Sequence, residues 1–219
     1  GKSYNTESVR KEEESSMKKG GFIKDAIILC LITLISGVSL GTVYEITKGP
    51  IAEAKLNAKK KAYQEVFSEA GDFKENTDAM AAITENSRAL TELGYGNVGV
   101  DEVNDALDKD GNVIGHVLIT NSKDGYGGEV QITVGIDKDL KVTGIAFLTI
   151  AETPGLGMRA KEPEFYTQFA GKQVDSFEVT KTGASSDNQI NAISGATITS
   201  NAVTNAVNVA VYFVKNYIK

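Results

Sequence analysis

The 219-residue chain contains one histidine, one cysteine, no tryptophan and only three prolines. A single cysteine rules out an intrachain disulfide. A Ser-His-Asp or Cys-His site would have to use His116, and a metal centre of histidines or cysteines cannot be assembled from this supply. No acidic cluster with metal-ligand spacing stands out, so neither catalytic residues nor metal ligands are assigned. Any redox chemistry must therefore come from a cofactor. Positive charge is also in short supply: 23 Lys+Arg face 29 Asp+Glu, a net charge of −6. That balance disfavours nucleic acid as a partner. Hydrophobic residues make up 41% and charged residues 24%, a folded composition too apolar for a disordered chain. The length suits one main domain with an appendage, and there is no internal repeat.

What is present is a long apolar run. Ala26 to Tyr44 (AIILCLITLISGVSLGTVY) is 19 residues without a charge. As a helix it is about 28 Å long, close to the ~30 Å of a bilayer core. A cleaved signal peptide would have a shorter apolar region ending in a small-x-small site, so an uncleaved anchor in membrane lipid is the expected role. Lys18, Lys19 and Lys24 lie just before the run and only Lys48 just after it. This near-flank bias places the N-terminus in the cytoplasm and residues 45–219 outside it. Residues 17–25 are then a cytoplasmic flank. Residues 1–16, ahead of the start-like Met17-Lys18-Lys19, read as a disordered extension. Gly37 and Gly41 form a G-x-x-x-G pair, a weak sign of a neighbouring helix.

Beyond the anchor, Ile51–Ala70 is rich in helix formers. Ala54, Ala58, Ala62 and Val66 recur every four residues, as in an amphipathic helix. Lys59-Lys60-Lys61 belongs to its solvated side or touches lipid headgroups. A second helix is expected around 78–93. From Val98 the period changes, and 112–120, 129–136 and 141–150 read as strands bounded by turns. Asp108-Lys109-Asp110-Gly111-Asn112 looks like the start of a calcium loop, but Ile119 stands where the closing Glu would be, so it reads as a turn. His116, mid-strand, reads as a structural or surface histidine. A last helix covers about 201–218, with Val203, Ala206, Val207, Ala210, Val214 and Tyr217 on one stripe. Strands in sequence, flanked by helices rather than alternating with them, give an α+β class with antiparallel strands.

Three loops are unusual. Ser194-Gly195-Ala196-Thr197-Ile198-Thr199-Ser200 precedes the last helix. Its small residues let backbone approach a ligand, and free N–H groups at a helix start favour a phosphate. Ordinary N-capping would also explain the Ser and Thr. Glu152-Thr153-Pro154-Gly155-Leu156-Gly157 ends the third of these strands as a shaped loop from which Leu156 projects, or a plain turn. Lys123-Asp124-Gly125-Tyr126-Gly127-Gly128 is a hairpin, or a Gly-rich wall whose aromatic covers a planar ligand.

In this order behind one anchor, SGATITS and ETPGLG resemble the covalent FMN-binding subunits of ion-translocating redox complexes. The resemblance runs from Met17 onward and is strongest to the G subunits of Rnf-type ferredoxin–NAD oxidoreductases, with the C subunits of sodium-pumping NADH:quinone reductases more distant. It implies that residues 45–219 form an FMN-binding domain and that a flavin transferase esterifies the FMN phosphate to Thr197. It also implies that Ser194, Gly195, Ala196, Thr199, Ser200, the loop Glu152–Gly157, and Gly125, Tyr126, Gly127 and Gly128 surround the cofactor. The implied role is electron relay among subunits carrying iron–sulfur clusters and further flavins. A membrane-anchored sensory or binding domain is the rival reading. One departure stands out: Asn191 occupies a position that is often acidic in the family.

Overall fold

The computed structural model describes the backbone of residues 6–218 and the side chains of residues 21–218. It divides into two compact units, residues 1–55 and 56–219.

The first unit lies within helix α1 (Thr6–Val66). The expected disordered stretch 1–16 falls partly outside the described residues, and the backbone of 6–16 forms the first turns of α1. Among the described residues, α1 is the one helix long and apolar enough to cross a membrane. Between residues 22 and 56 its large apolar side chains are uncovered, from 45% exposed at Ile28 to 78% at Leu40. Such a surface suits lipid rather than water. Lipid offers no hydrogen bonds, and the threonine hydroxyls here are satisfied internally. Thr33 Oγ1 donates to Cys30 O (2.9 Å), Thr42 Oγ1 to Val38 O (2.8 Å) and Thr47 Oγ1 to Val43 O (2.8 Å). Pro50 lies inside the helix, so the amphipathic segment after it continues the membrane helix and stops at Val66 rather than Ala70.

The second unit is built on a five-stranded antiparallel meander. Its strands are β1 (Asp72–Glu75), β2 (Val98–Leu107), β3 (Val113–Gly125), β4 (Gly128–Asp137) and β5 (Val142–Thr149). Helix α2 (Thr77–Thr91) links β1 to β2. Short helical turns at 157–169 include α3 (Pro163–Tyr166), and β6 (Glu178–Thr180) pairs in parallel with β7 (Gln189–Asn191). Helix α4 (Thr197–Tyr217) closes the chain.

Strand alternation sends side chains to two different cores. Leu118, Ile132, Val134 and Ile136 face Val203, Val207, Ala210 and Phe213 of α4. Val117, Ile119 and Ala146 meet Ala62, Tyr63, Val66 and Phe67 at the end of α1. Both faces are covered, and the middle of β3 (117–119) and of β5 (145–148) accordingly read as unbroken apolar runs. Gly115 is required by close approach: a Cβ there would lie 2.6 Å from the Phe67 ring.

Asp108 Oδ1 accepts the N–H groups of Asp110 (2.9 Å) and Asn112 (2.8 Å), which makes the calcium-like stretch a turn held by its own aspartate. Those bonds, with the Asn112 side chain first, hold the Asp108 carboxyl below the usual range. His116 Nδ1 lies 2.9 Å from Asp105 Oδ1, which also accepts Asn76 Nδ2 at 2.9 Å. Asn76 in turn caps α2 through Ala79 N–H (2.9 Å). His116 is thus a structural residue.

Lys59, placed on the solvated side or near lipid by the sequence pattern, instead donates to Glu102. Glu102 Oε1 also accepts from Tyr63 Oη (2.6 Å) and Asn104 Nδ2 (3.0 Å). Burial pushes the Glu102 carboxyl up, but the bonds from Lys59, Tyr63 and Asn104 together outweigh it and leave its pKa below the ordinary value. A depressed carboxyl stabilises the fold above its unfolded-state pKa of ~4.3, and that contribution fades as pH falls further. Glu102→Gln should lower Tm at neutral pH and flatten the decline of Tm below about pH 4.3; equal acid limbs in thermal melts of the two proteins would contradict this.

Candidate functional site

The three unusual loops converge at one end of the sheet. Gly125 pairs with Gly128 across the β3–β4 hairpin, leaving Tyr126 and Gly127 at its tip. The ETPGLG loop leaves β5 and is tied down by Leu156 N–H and Met158 N–H, which donate to Thr153 O at 3.1 and 3.2 Å. Gly155 takes a positive φ of 75° within it.

The third loop differs from the sequence expectation. Helix α4 starts at Thr197, four residues before the expected Asn201, so Thr197 is its first residue. The N-cap is Ala196, with no side-chain cap; the Ser and Thr of this segment do not serve as the expected caps. The first intrahelical bond of the new turn runs from Ser200 N–H to Ala196 O at 3.0 Å. The N–H groups of Thr197, Ile198 and Thr199 therefore have no acceptor within the helix. A helix start of this kind attracts an anion by roughly 0.3–1 kcal/mol when partly exposed.

These elements enclose a cavity of about 510 Å³, within the usual range for small-molecule sites. Of the residues singled out from the sequence, Tyr126, Glu152, Thr153, Leu156, Gly157, Gly195, Ala196, Thr197 and Thr199 line it. Ile198, within the same SGATITS segment but given no role from the sequence, lines it too. Pro154, Gly155, Gly125, Gly127, Gly128, Ser194 and Ser200 are not part of the lining. Gly125 and Gly127 pack behind it: a Cβ would lie 3.0 Å from Glu152 Oε1 at Gly125 and 3.2 Å from Glu152 Cα at Gly127. Ser200 is buried, its hydroxyl donating to Ala196 O (2.9 Å) and accepting from Ile193 N–H (3.0 Å). Ser194 faces a neighbouring pocket beside Asn191. Asn191 Oδ1 accepts Ala184 N–H at 2.7 Å, so its side chain braces the loop that precedes the site.

Two features mark the cavity as a ligand site. Between residues 57 and 218, the large hydrophobic side chains left exposed are Tyr126 (72%), Leu156 (44%) and Ile198 (53%), and all three line it. Glu152 is 7% exposed, yet neither carboxyl oxygen has a hydrogen-bond partner. Apolar walls, an uncapped helix start and a buried polar group without a partner fit a planar cofactor with a phosphate tail.

Residues 125–212, which contain the ETPGLG and SGATITS loops and the hairpin loop from Gly125 on, match the FMN-binding domain family. Over 203 residues the chain is 32% identical to the G subunit of the Na⁺-translocating ferredoxin:NAD⁺ oxidoreductase complex of Acetobacterium woodii, spanning 90% of this chain and 93% of that one. The chain belongs to the G-subunit family of ion-translocating oxidoreductase complexes. Another member, the G subunit from the ion-translocating oxidoreductase complex of Methanosarcina acetivorans, is 31% identical over 192 residues, 87% of this chain and 93% of that one. Among solved structures, the C subunit of the Na⁺-translocating NADH-quinone reductase of Parabacteroides distasonis is similar at 28% identity and a TM-score of 0.42, covering 59% of this chain and 67% of that one. This G-subunit-family chain is a flavoprotein by its FMN-binding domain and, among the described residues, has one helix long and apolar enough to cross a membrane.

Gly157 is the tightest point of the lining. A Cβ there would lie 2.7 Å from Glu152 Cβ, Glu152 Oε2 and Thr199 Oγ1 alike. Gly157→Ala should lower Tm by several degrees, for a strain of about 1–3 kcal/mol, and reduce the flavin carried per protein. Unchanged Tm and flavin absorbance would show that the wall yields freely.

Proposed function

We propose that this subunit relays electrons through FMN held by a phosphoester to Thr197, within a membrane-bound ion-translocating ferredoxin:NAD oxidoreductase. The observation that carries the reading is the placement of Thr197 at an uncapped helix start inside the cavity that gathers the exposed apolar side chains of residues 57–218. Its neighbours are poorer acceptors of a cofactor. Thr199 is 1% exposed, and Ser200 is 0% exposed with its hydroxyl already engaged. Thr197 is only half-buried.

Esterification joins the Thr197 hydroxyl oxygen to phosphorus, so the product exceeds the polypeptide by FMN less one water. The bond would be made by a flavin transferase acting from outside the chain. The phosphodiester keeps a negative charge, which the N–H groups of residues 197–199 offset. Tyr126, Leu156 and Ile198 supply apolar walls for the ring, and Thr153 a polar contact. FMN supplies one- and two-electron chemistry when bound. The residues hold it, orient it and limit its access to water. No metabolite site is needed on such a chain, because its substrates are electrons from other subunits with iron–sulfur clusters and flavins.

The domain division goes with this reading: a cytoplasmic flank at 17–25, a span at 26–44 in membrane lipid, and an extracytoplasmic FMN-binding domain from 45. The lysines at 18, 19 and 24 favour that orientation. The tether keeps the flavin at one membrane face and raises its concentration near redox partners.

Denaturing gels of protein co-expressed with a flavin transferase test the attachment. Thr197→Ala should abolish the flavin-fluorescent band, while Thr199→Ala keeps it. Fluorescence surviving in Thr197→Ala would assign the ester elsewhere.

A further inference from the structure

The ETPGLG loop and the SGATITS segment both line the cavity, and one side chain outside the lining joins their supports. The chain leaves the ETPGLG loop through the short helical turns at 157–169, and Gln168 stands in the last of them, Thr167–Phe169. Phe169 is fully buried and meets the Phe165 and Phe177 rings edge-on at 5.8 and 5.2 Å, so this turn is fixed to the core. From it the Gln168 side chain reaches the end of β7. Gln168 Oε1 accepts Asn191 N–H at 2.7 Å, and Gln168 Nε2 donates to Asn191 O at 3.3 Å and to Glu164 O at 3.1 Å. One amide thus meets both backbone groups of one residue, the pairing a neighbouring strand would give. No strand does so here. Glu178 N–H donates to Asn188 O and Ala192 N–H to Thr180 O, so residues 188 and 192 bond toward β6, while Asn191 turns its N–H and C=O the other way. Past the clamp, Ile193 N–H is held by Ser200 Oγ (3.0 Å), and the short run to Thr197 has little slack. The clamp grips backbone, which leaves the Asn191 side chain to brace Ala184 N–H (2.7 Å). An asparagine in place of an acidic residue at 191 therefore leaves the clamp intact.

We infer that Gln168 is a positioning residue for the modification of Thr197. By holding the Asn191 backbone it sets the attachment segment against the ETPGLG wall, so that the Thr197 hydroxyl meets the incoming flavin phosphate in one place. This rests on the ester reading of Thr197 and adds a residue that acts from outside the cavity, through Asn191. A group held in its reactive setting reacts faster than one that visits that setting only part of the time.

The test uses the full chain, purified in detergent without flavin and then incubated with a flavin transferase and its flavin-nucleotide donor. Intact mass follows covalent flavin over time, and thermal melts report stability. The proteins are wild type, Gln168→Met, Gln168→Glu and Asn76→Ala. Gln168→Met removes both bonds to Asn191 at similar size and should lower kcat/KM for attachment about 3–20-fold, the effect of one or two lost hydrogen bonds. Gln168→Glu keeps an acceptor for Asn191 N–H, should fall between, and gives the comparison if the methionine variant does not fold. Asn76→Ala loses the α2 cap beside Val214 and Ile218, at the opposite end of α4 from Thr197. It should lower Tm yet take up flavin at the wild-type rate, which separates positioning from stability. An unchanged or faster rate in Gln168→Met, or an equal slowing in Asn76→Ala, would overturn the role of Gln168 and leave the ester standing. A wild type that takes up no flavin would overturn the ester reading and this inference with it.

Discussion

The packing of α4 against the sheet is the constraint on which the site depends. Val203, Val207, Ala210 and Phe213 bury against Leu118, Ile132 and Val134, and Thr120 Oγ1 donates to Ala206 O at 2.8 Å. A polar bond inside an apolar interface allows few alternative registers, because sliding the helix would leave both groups unpaired. Asn208 adds a second pin, bonding Phe177 N–H at 2.7 Å and Phe177 O at 2.9 Å. With the helix held along its length, its first turn is fixed where β3 turns into β4 and where β5 ends. That is why a hydroxyl at residue 197, a glutamate at 152 and a tyrosine at 126 line one cavity.

Within it, several groups lack protein partners. Three N–H groups lack intrahelical acceptors, a carboxyl lacks a donor, and three large apolar side chains lie open. A cofactor with a phosphate tail and a flat ring, as FMN has, suits the helix start and the open apolar side chains. Local rules are commonly broken in this way at functional sites, with the cost met by packing elsewhere. The two-sided core, with α4 on one face and the end of α1 on the other, provides that packing.

Much of this is legible in the sequence, where the signal is periodic or compositional. The uncharged run of 26–44, the stripe of α4, strands β3 to β5 and the segment of α2 all carry patterns longer than one turn or three strand residues. The three site loops stand out as clusters of Gly, Ser, Thr and Pro, and the family resemblance orders them. What escapes is short, tertiary or, in β2 (Val98–Leu107), hidden by the polar residues Asp101, Glu102, Asn104 and Asp105. The pairs β6 and β7 have three residues each, too few to alternate. Helix α4 starts earlier than its pattern suggests because Thr-Ile-Thr is β-branched and reads as non-helical, and the packed helix overrides that preference. Lys59 looks solvated because nothing local announces Glu102, 43 residues away. The burial of Glu152 has no local sign either, since it depends on the β3–β4 hairpin at Gly125 as well as on Gly157 of its own loop.

The central claim is a covalent bond at one hydroxyl, and tandem mass spectrometry of the proteolysed holoprotein addresses it most directly. The peptide spanning 194–200 should carry FMN, and fragment ions should localise it to Thr197. A holoprotein whose FMN maps to another residue, or whose 194–200 peptide is unmodified throughout, would contradict the account.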